Sequence, residues 1–528
     1  MDSGLAGMTV GRRHAGLDPP TAFPHSPLVT VNHDLIEHAY SLLNAGRAAE
    51  TLEISTRLAE APGASHDALV LHAAALKLEH RHEEALGVDE RAAAAFPRSG
   101  AAWHNLATTL GELGRGQEAL GALARGFALG LDSPLSWQVK ARAHVACGDL
   151  EQAEAAYRQA SARAPDLPLL AAESADFLWM ARGDLAAALA PLDRAFHAGA
   201  PPAPLLLAKA KLFASAGDPE QAAALLDRAA GHLPDERQLI LAAAQAALEA
   251  GRLFDAERHV RRAQFLAPAD PAVLVQSTII SLALGRAGSA LLSARKALAS
   301  APLDQSVLAW AATAARAAGD PLYRELCDYE SMVGVYDLEP PPGWATGPDF
   351  LRDLTAALDR HHVMAEHPSA QSLRHGTQTT YRLSGSGDRA IQAFFKALER
   401  PLREHLAKLG RGDDPLRRRN SGGYRIVGAW SVRLRSGGFH LDHMHNEGWI
   451  SSAFYVETPD GALDREGREG WLRLGQPPFP TVPEQPAERF VRPEPGRLVL
   501  FPSYMWHGTV PFHTEERRTT IAFDLLPG

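Results

Sequence analysis

Histidines and one aspartate cluster near the C-terminal end of the sequence. The segment GFHLDHMHN contains His440, Asp442, His443 and His445, and His507 follows in FPSYMWHGTVP, directly after an apolar run. A non-haem iron(II) oxygenase binds its ion through three such side chains on one face, usually two His and one carboxylate. Two ligands spaced i, i+2 on an extended segment point to the same side, so a distant strand must supply the third. The pattern predicts a metal site, for which iron competes with a three-histidine zinc hydrolase.

Arg518 and Thr520 lie on the last apolar strand of the sequence and share a face, because side chains alternate along a strand. A 2-oxoglutarate co-substrate would need a fixed cation for its far carboxylate. Arginine binds a carboxylate through two parallel hydrogen bonds, and a neighbouring hydroxyl adds a donor. The neighbouring Arg517 instead shares a face with Ile521 and Phe523, which are typical packing residues. The Arg518–Thr520 pair therefore favours iron over zinc.

The elements that must position these residues are short strands. From Tyr424 onward the runs YRIVGAWSVRL, WISSAFYVE, GRLVLFP and RTTIAFDLL are β-branched and aromatic and are bounded by Gly and Pro. Apolar residues at helical spacing precede them and predict helices around 348–363 and 388–409. This order predicts a mainly β double-sheet barrel, or jelly roll, with buttressing helices over residues 348–528.

An internal period dominates the first three fifths of the chain. Glycines recur every 34 residues, with one step of 35, at Gly114, Gly148, Gly183, Gly217, Gly251, Gly285 and Gly319, and the phase extends back to His80 and Gly46. An alanine stands five residues after most of them, at Ala85, Ala119, Ala153, Ala188, Ala222, Ala256 and Ala290. Gly after a first helix adopts the left-handed turn cheaply, and Ala lets a second helix approach closely.

Such hairpins cannot bury both apolar faces alone, so they stack into an all-α solenoid. The pattern resembles the tetratricopeptide repeat, and we expect the solenoid over residues 34–326. Residues 327–347 are then a linker, and residues 1–33 are expected to be disordered. A repeat groove of this kind is typical of a scaffold that binds a protein or peptide.

Composition excludes several classes of protein. The 528 residues are 46% hydrophobic and 22% charged, which is ordinary for a globular protein. A net charge of −9 gives no reason to expect a nucleic-acid partner, and the absence of a long apolar run gives none to expect a membrane. Two cysteines exclude a disulfide scaffold. We expect no secretory signal and a cytoplasmic location.

The segments HPSAQSLRHGTQTT, GGFHLDHMHNEGWISSAFYV, PGRLVLFPSYMWHGTVPF and RTTIAFD resemble the 2-oxoglutarate/Fe(II)-dependent oxygenase family that is often fused to tetratricopeptide repeats. The resemblance covers residues 335–528 and implies a double-stranded β-helix with Fe(II), 2-oxoglutarate and O2. It implies a dioxygenase, and we expect a hydroxylase of a protein or peptide that the repeats recruit. Two alternatives stay open: an oxygenase of a small molecule, and a non-catalytic binding or scaffold protein with a degenerate barrel.

The family motif reads His-x-His, which implies His443 and His445, with His507, as an all-histidine metal face. Most 2-oxoglutarate oxygenases read His-x-Asp, and His440 and Asp442 offer that spacing in the opposite phase of the same strand. A bulge could also bring Asp442 and His443 to one ion. We prefer the three histidines, with Asp442 and His440 as the alternative ligands.

Three residues are candidates for binding the co-substrate. Arg518 matches the family's arginine before the small-hydroxyl strand, and Thr520 lies beside it. Tyr455 is a further candidate, for which a core tyrosine at a strand end is an equally good interpretation. We predict no catalytic side chain beyond the metal centre.

Overall fold

The structure is a computed structural model that describes residues 27–369, 371–464 and 466–528. The chain divides into two compact units, with the boundary between residues 160 and 161. Most of the segment expected to be disordered, 1–33, lies outside the described residues, and the first helix begins at Pro27. None of the helices in the described part of the chain is long and apolar enough to cross a membrane.

Seventeen helices of the described chain form the repeats. They are α1 (Pro27–Asn44), α2 (Ala48–Glu60), α3 (His66–Leu78), α4 (His82–Ala95), α5 (Gly100–Glu112), α6 (Gly116–Ala128), α7 (Pro134–Ala146), α8 (Leu150–Arg163), α9 (Pro168–Arg182), α10 (Leu185–His197), α11 (Pro202–Ser215), α12 (Pro219–His232), α13 (Arg237–Glu249), α14 (Leu253–Leu266), α15 (Pro271–Ala283), α16 (Ala287–Ser300) and α17 (Gln305–Ala318). The predicted all-α repeat solenoid is confirmed.

The periodic glycines and alanines have the conformations that the repeat requires. Gly114, Gly217 and Gly285 follow the first helix of a hairpin with φ of 72°, 84° and 71°, and His80 occupies the same position with φ of 56°. The alanines five residues later lie in the second helix, and at most 1% of the surface of each is exposed. The turn and the close helix contact, repeated along the chain, therefore account for the period.

Enlarging one of these alanines should destabilise the repeats. Ala188 of α10 is completely buried, whereas Ala186 in the same helix is exposed. We expect Ala188→Leu to lower the free energy of unfolding by about 1–3 kcal/mol, because the added methylenes force neighbouring helices apart. Ala186→Leu should change it by less than about 0.5 kcal/mol. Denaturant unfolding followed by far-UV circular dichroism checks the pair, and equal effects would contradict close packing at the periodic alanine.

The C-terminal part of the chain forms two antiparallel sheets. Their strands are β1 (Gly334–Asp337), β2 (Leu373–Gln378), β3 (Tyr424–His440), β4 (Ile450–Glu457), β5 (Leu472–Leu474), β6 (Arg489–Val491), β7 (Arg497–Pro502), β8 (His507–Thr509) and β9 (Arg518–Pro527). One sheet has the order β1-β7-β4-β9-β3-β2, and the other has the order β6-β5-β8. This antiparallel, two-sheet arrangement agrees with the expected jelly roll.

Further helices accompany the strands. They are α18 (Leu322–Leu326), α19 (Tyr329–Met332), α20 (Gly347–Asp359), α21 (Arg389–Ala397), α22 (Glu399–Leu409) and α23 (Asp460–Leu463), with 3-10 turns at Leu383–Gly385 and Arg417–Arg419. The segment 327–347, for which the sequence predicts a linker, contains α19 and β1, and β1 forms the edge of the larger sheet beside β7. A four-residue strand is too short to show the alternation by which a strand is recognised.

Alternation along the central strands separates two packing environments. Phe454 of β4 and Phe523 of β9 pack on Phe394 of α21, with ring centroids 4.7 and 6.4 Å from it. Tyr455, on the opposite face of β4, packs with Leu472 of the smaller sheet. Side chains on this second face of β4 and β9 therefore lie between the two sheets.

A loop of the C-terminal region forms hydrogen bonds with helix α9 of the repeats. The carbonyl oxygen of Met180 accepts hydrogen bonds from the backbone N–H groups of Ala365 and Glu366, each at 2.9 Å. The carboxylate of Asp176 accepts one from the N–H of Ser369 at 2.8 Å. These contacts join the repeats to the segment that leads into β2.

Helix α17 makes a second set of contacts. The carbonyl oxygen of Thr313 accepts a hydrogen bond from the Gln485 amide at 3.0 Å, and its hydroxyl accepts one from the Trp506 indole at 2.8 Å. Arg316 donates to the carbonyl oxygen of Gly475 at 2.9 Å. Both α9 and α17 are first helices of their hairpins. The compact unit that contains the C-terminal strands therefore begins inside the repeats, at residue 161.

Candidate metal centre

The segment after β3 is extended and pairs with the start of β8. His443 and His507 exchange backbone hydrogen bonds of 2.9 Å in both directions, and the N–H of His445 donates to the carbonyl oxygen of Ser503 at 2.9 Å. Because side chains alternate along an extended segment, His443 and His445 point to the same side. The pairing brings His507 beside them.

The three imidazoles form a compact group. One potential ligand atom from each of His443, His445 and His507 lies within 4.8 Å of the other two. The ring centroid of His507 is 4.1 Å from that of His443 and 4.9 Å from that of His445. Two aromatic rings lie beside the group: the ring centroid of Phe501 is 4.6 Å from that of His507, and the ring centroid of Trp430 is 5.4 Å from that of His445.

Each imidazole has a hydrogen-bond partner for Nδ1. This atom of His443 is 2.8 Å from the carbonyl oxygen of Leu441, and that of His507 is 3.0 Å from the carbonyl oxygen of Met505. A carbonyl oxygen only accepts, so both nitrogens carry the proton. Nδ1 of His445 lies 2.6 Å from the carboxylate of Asp524. In all three rings this arrangement leaves Nε2 as the nitrogen with a free lone pair, which is the atom a metal requires.

Burial keeps two of these rings neutral. It lowers the pKa of His443 to about 3, and it lowers the pKa of His507 well below its usual range. The nearby His445 acts in the same direction on both. Metal ligation needs neutral imidazole, so no proton has to leave these two rings near pH 7 before an ion binds.

The alternative ligands have other partners. Asp442 accepts two hydrogen bonds from Arg473, at 2.8 and 2.7 Å, on the side of the chain opposite His443. A Cβ at Gly508 would come within 2.5 Å of this carboxylate, so glycine is the residue that leaves room for the ion pair. His440 stacks on His443 with centroids 5.5 Å apart, and its Nδ1 lies 3.0 Å from the hydroxyl of Ser372. The structure does not bring Asp442 or His440 into the three-histidine group.

Arg518 is a buried cation between the two sheets. Only 2% of its surface is exposed, and its Nε donates to the carbonyl oxygen of Gly470 at 3.1 Å. Over the described ranges of the chain, no carboxylate forms an ion pair with it. Its guanidinium carbon lies 5.0 Å from the ring centroid of Tyr455. A buried arginine with no carboxylate partner among the described residues is suited to bind the carboxylate of a ligand.

Tyr455 and Thr520 lie beside this arginine. The two are paired across β4 and β9, and both are buried. The hydroxyl of Tyr455 has no hydrogen-bond partner among the residues that the structure describes, which is unusual for a fully buried polar group. Burial raises the pKa of Tyr455, so the phenol stays protonated and can act as a donor. An anion placed at Arg518 would satisfy both groups.

These groups fit an iron(II) ion with a dicarboxylate co-substrate. The three Nε2 atoms offer one face of an ion, and the buried arginine and phenol offer donors to a carboxylate. Residues 428–524 match the protein-family model described as "Putative 2OG-Fe(II) oxygenase". The match includes His443, His445 and His507 and extends through Arg518. Residues 428–524 are thus similar to this oxygenase family, as the resemblance implies.

Solved structures similar to this chain cover its helical region. A structure of PilW, a type IV pilus biogenesis factor, is 24% identical, covering 39% of this chain and 96% of that one, with a TM-score of 0.30. A tetratricopeptide repeat protein from Parabacteroides merdae is 16% identical, covering 48% and 99%, with a TM-score of 0.33. Pseudomonas aeruginosa pilF is 13% identical, covering 39% and 94%, with a TM-score of 0.29. No curated protein matches the chain.

Three residues of the site are absent from the sequence-based predictions. Arg473 holds Asp442, and Asp524 and Ser451 contact His445. Asp524 shares the face of Arg518 and Thr520 along β9, so the alternation of that strand contains a signal for it. Arg473 lies on a three-residue strand, where no pattern indicates which carboxylate it meets.

The two ligand sets make opposite predictions for metal binding. His445→Ala removes one of the three clustered nitrogens and should weaken binding of Co(II) by about 100-fold or more. Asp442→Asn should leave one ion per chain bound with affinity within a few-fold of the wild type, because that carboxylate is held by Arg473. Competition titration of Co(II) with a chromophoric chelator measures both. Loss of the ion in Asp442→Asn but not in His445→Ala would move the carboxylate into the ligand set.

Proposed function

We propose that the protein is an iron- and 2-oxoglutarate-dependent dioxygenase that hydroxylates a protein or peptide. His443, His445 and His507 hold the iron, and Arg518, Tyr455 and Thr520 bind the far carboxylate of 2-oxoglutarate. The repeat array recruits the substrate, and the enzyme works in the cytoplasm.

Arg518 carries this proposal, because it is buried and has no carboxylate partner among the described residues. An uncompensated cation between two sheets costs several kcal/mol in order of magnitude, so it persists where a ligand supplies the anion. Arg518 and Asp524 lie on the same face of β9, and Asp524 contacts His445 of the histidine group. A zinc hydrolase with three histidines would give no reason for this arginine, and a degenerate barrel would give no reason for the neutral, preoriented imidazoles.

The chain's own residues bind and orient the reactants. Arg518 fixes one end of the co-substrate by paired charge-assisted hydrogen bonds, and the protonated phenol of Tyr455 donates a further one. Phe501 and Trp430 lie beside the histidine group and cover part of it from solvent. When bound, iron(II) with 2-oxoglutarate and O2 supplies the oxidation of a substrate C–H bond to C–OH, with release of succinate and carbon dioxide.

The first helices of the repeats support a role in recruitment. The barrel segments dock on α9 and α17, so a chain held along the first helices between them lies next to the oxygenase-family domain. There, Gln245 of α13 and Gln276 of α15 present amides that are hydrogen-bonded to each other at 3.2 Å. The side-chain amide oxygen of Gln276 is buried, and none of the described residues donates a hydrogen bond to it. Amide side chains pair well with the backbone of an extended peptide.

Anaerobic addition of 2-oxoglutarate to the Fe(II)-loaded protein tests the reaction class. We expect a visible metal-to-ligand charge-transfer band that saturates with the co-substrate. Arg518→Met should lower the affinity for 2-oxoglutarate by about 10- to 100-fold, because the charge-assisted hydrogen bonds to its carboxylate are lost. Arg517→Met is the matched control, since Arg517 is half-exposed and pairs with Glu457, and it should titrate like the wild type.

Bound iron with no charge-transfer band at saturating 2-oxoglutarate would contradict the proposal and favour the binding-protein alternative. A band that Arg518→Met and Arg517→Met weaken equally would remove the assigned role of Arg518.

Labelled dioxygen distinguishes a protein substrate from a small molecule. In a cell extract supplied with the enzyme, 2-oxoglutarate and 18O2, we expect one labelled oxygen in succinate and the other in the macromolecular fraction. Mass spectrometry of digested protein and of the filtrate measures the two fractions, with Arg518→Met at low 2-oxoglutarate as the control. Label confined to succinate and other small molecules would contradict a protein substrate.

A further inference from the structure

Asp524 of β9 is a buried carboxylate that contacts a candidate metal ligand. Its Oδ1 lies 2.6 Å from Nδ1 of His445, and 7% of the residue is exposed. The hydroxyl of Ser451 donates to the same oxygen at 2.6 Å and lies 2.9 Å from Nδ1 of His445. The carboxylate therefore holds the ring in one orientation with Nδ1 protonated and Nε2 free.

Among the described residues, no lysine or arginine neutralises the carboxylate of Asp524. Within the part of the chain that the structure describes, its side-chain contacts are the imidazole of His445 and the hydroxyl of Ser451. Asp442 provides the contrast, because it is equally buried but bound to Arg473 through both oxygens. One of two buried carboxylates near the histidines is thus already compensated, and the other has its charge directed at a ligand.

The negative charge of Asp524 is what makes its contact with His445 relevant to metal binding. A site with two His and one carboxylate brings one negative charge to the ion, whereas three neutral imidazoles bring none. A carboxylate that accepts the Nδ1–H of a ligand histidine raises the basicity of that ring. It thereby transfers part of its negative charge toward Nε2.

We infer that Asp524 is a positioning residue of the metal site, which orients His445 and supplies, through the imidazole, the negative charge that an all-histidine ligand set lacks. The inference rests on the metal site proposed above. In this site the carboxylate contacts a ligand histidine and does not itself bind the ion. Ser451 completes the assembly by fixing the carboxylate oxygen.

Metal affinity and reduction potential test the inference without requiring turnover. Asp524→Asn keeps the shape of the side chain and removes its charge. We expect it to weaken Co(II) binding by about 10- to 100-fold. It should also raise the Fe(III)/Fe(II) potential, because an anion near the ion stabilises the ferric state. Asp442→Asn is the matched control and should leave the potential unchanged, since Arg473 already compensates that carboxylate.

Ser451→Ala separates orientation from charge. It removes the hydroxyl that fixes Asp524 but keeps the carboxylate, so Co(II) affinity should fall while the potential stays at the wild-type value. Wild-type affinity and potential in a folded Asp524→Asn protein would overturn the inference, as would equal shifts of potential in Asp524→Asn and Asp442→Asn. If Asp524→Asn does not fold, wild-type Co(II) affinity in Ser451→Ala overturns it. Metal binding with these shifts but without a 2-oxoglutarate band would refute the proposed function alone.

Discussion

The pair of backbone hydrogen bonds between His443 and His507 is the contact on which the site depends. It joins the segment after β3 to β8, so that residues 62 positions or more apart in the chain become neighbours. It also fixes the phase of the extended segment. Since side chains alternate, this phase directs His443 and His445 toward His507 and directs Asp442 away, toward Arg473. A shift of one residue would exchange the two sets.

Much of this arrangement could be predicted from local pattern. The 34-residue period indicates the repeats because each hairpin has the same turn and the same helix contact. The i, i+2 spacings at 443/445 and 518/520 indicate shared faces because alternation is a local property of strands. Neither pattern depends on the length of chain between His445 and His507.

The remainder depends on contacts between distant, irregular segments. The loops at 364–369 and 475–486 have no periodicity, so nothing in their sequences indicates that they bind α9 and α17. Strand β1 is too short to be distinguished from a linker. Asp524 could have been found by counting along β9 from Arg518, but an aspartate at the end of an apolar strand is also typical of a simple strand terminus. Only the proximity of His445 separates these interpretations.

The docking of the barrel on α9 and α17 limits how this gene can evolve. Repeat arrays commonly gain or lose whole hairpins, because each hairpin contacts only its neighbours. Here the helices between α9 and α17 set the distance between two contact points of the C-terminal region, Met180 and Thr313. Deleting one hairpin from that interval would move one anchor away from its loop by a full repeat. Duplications and losses should therefore accumulate before residue 161, while the number of hairpins after it stays constant among descendants of this chain.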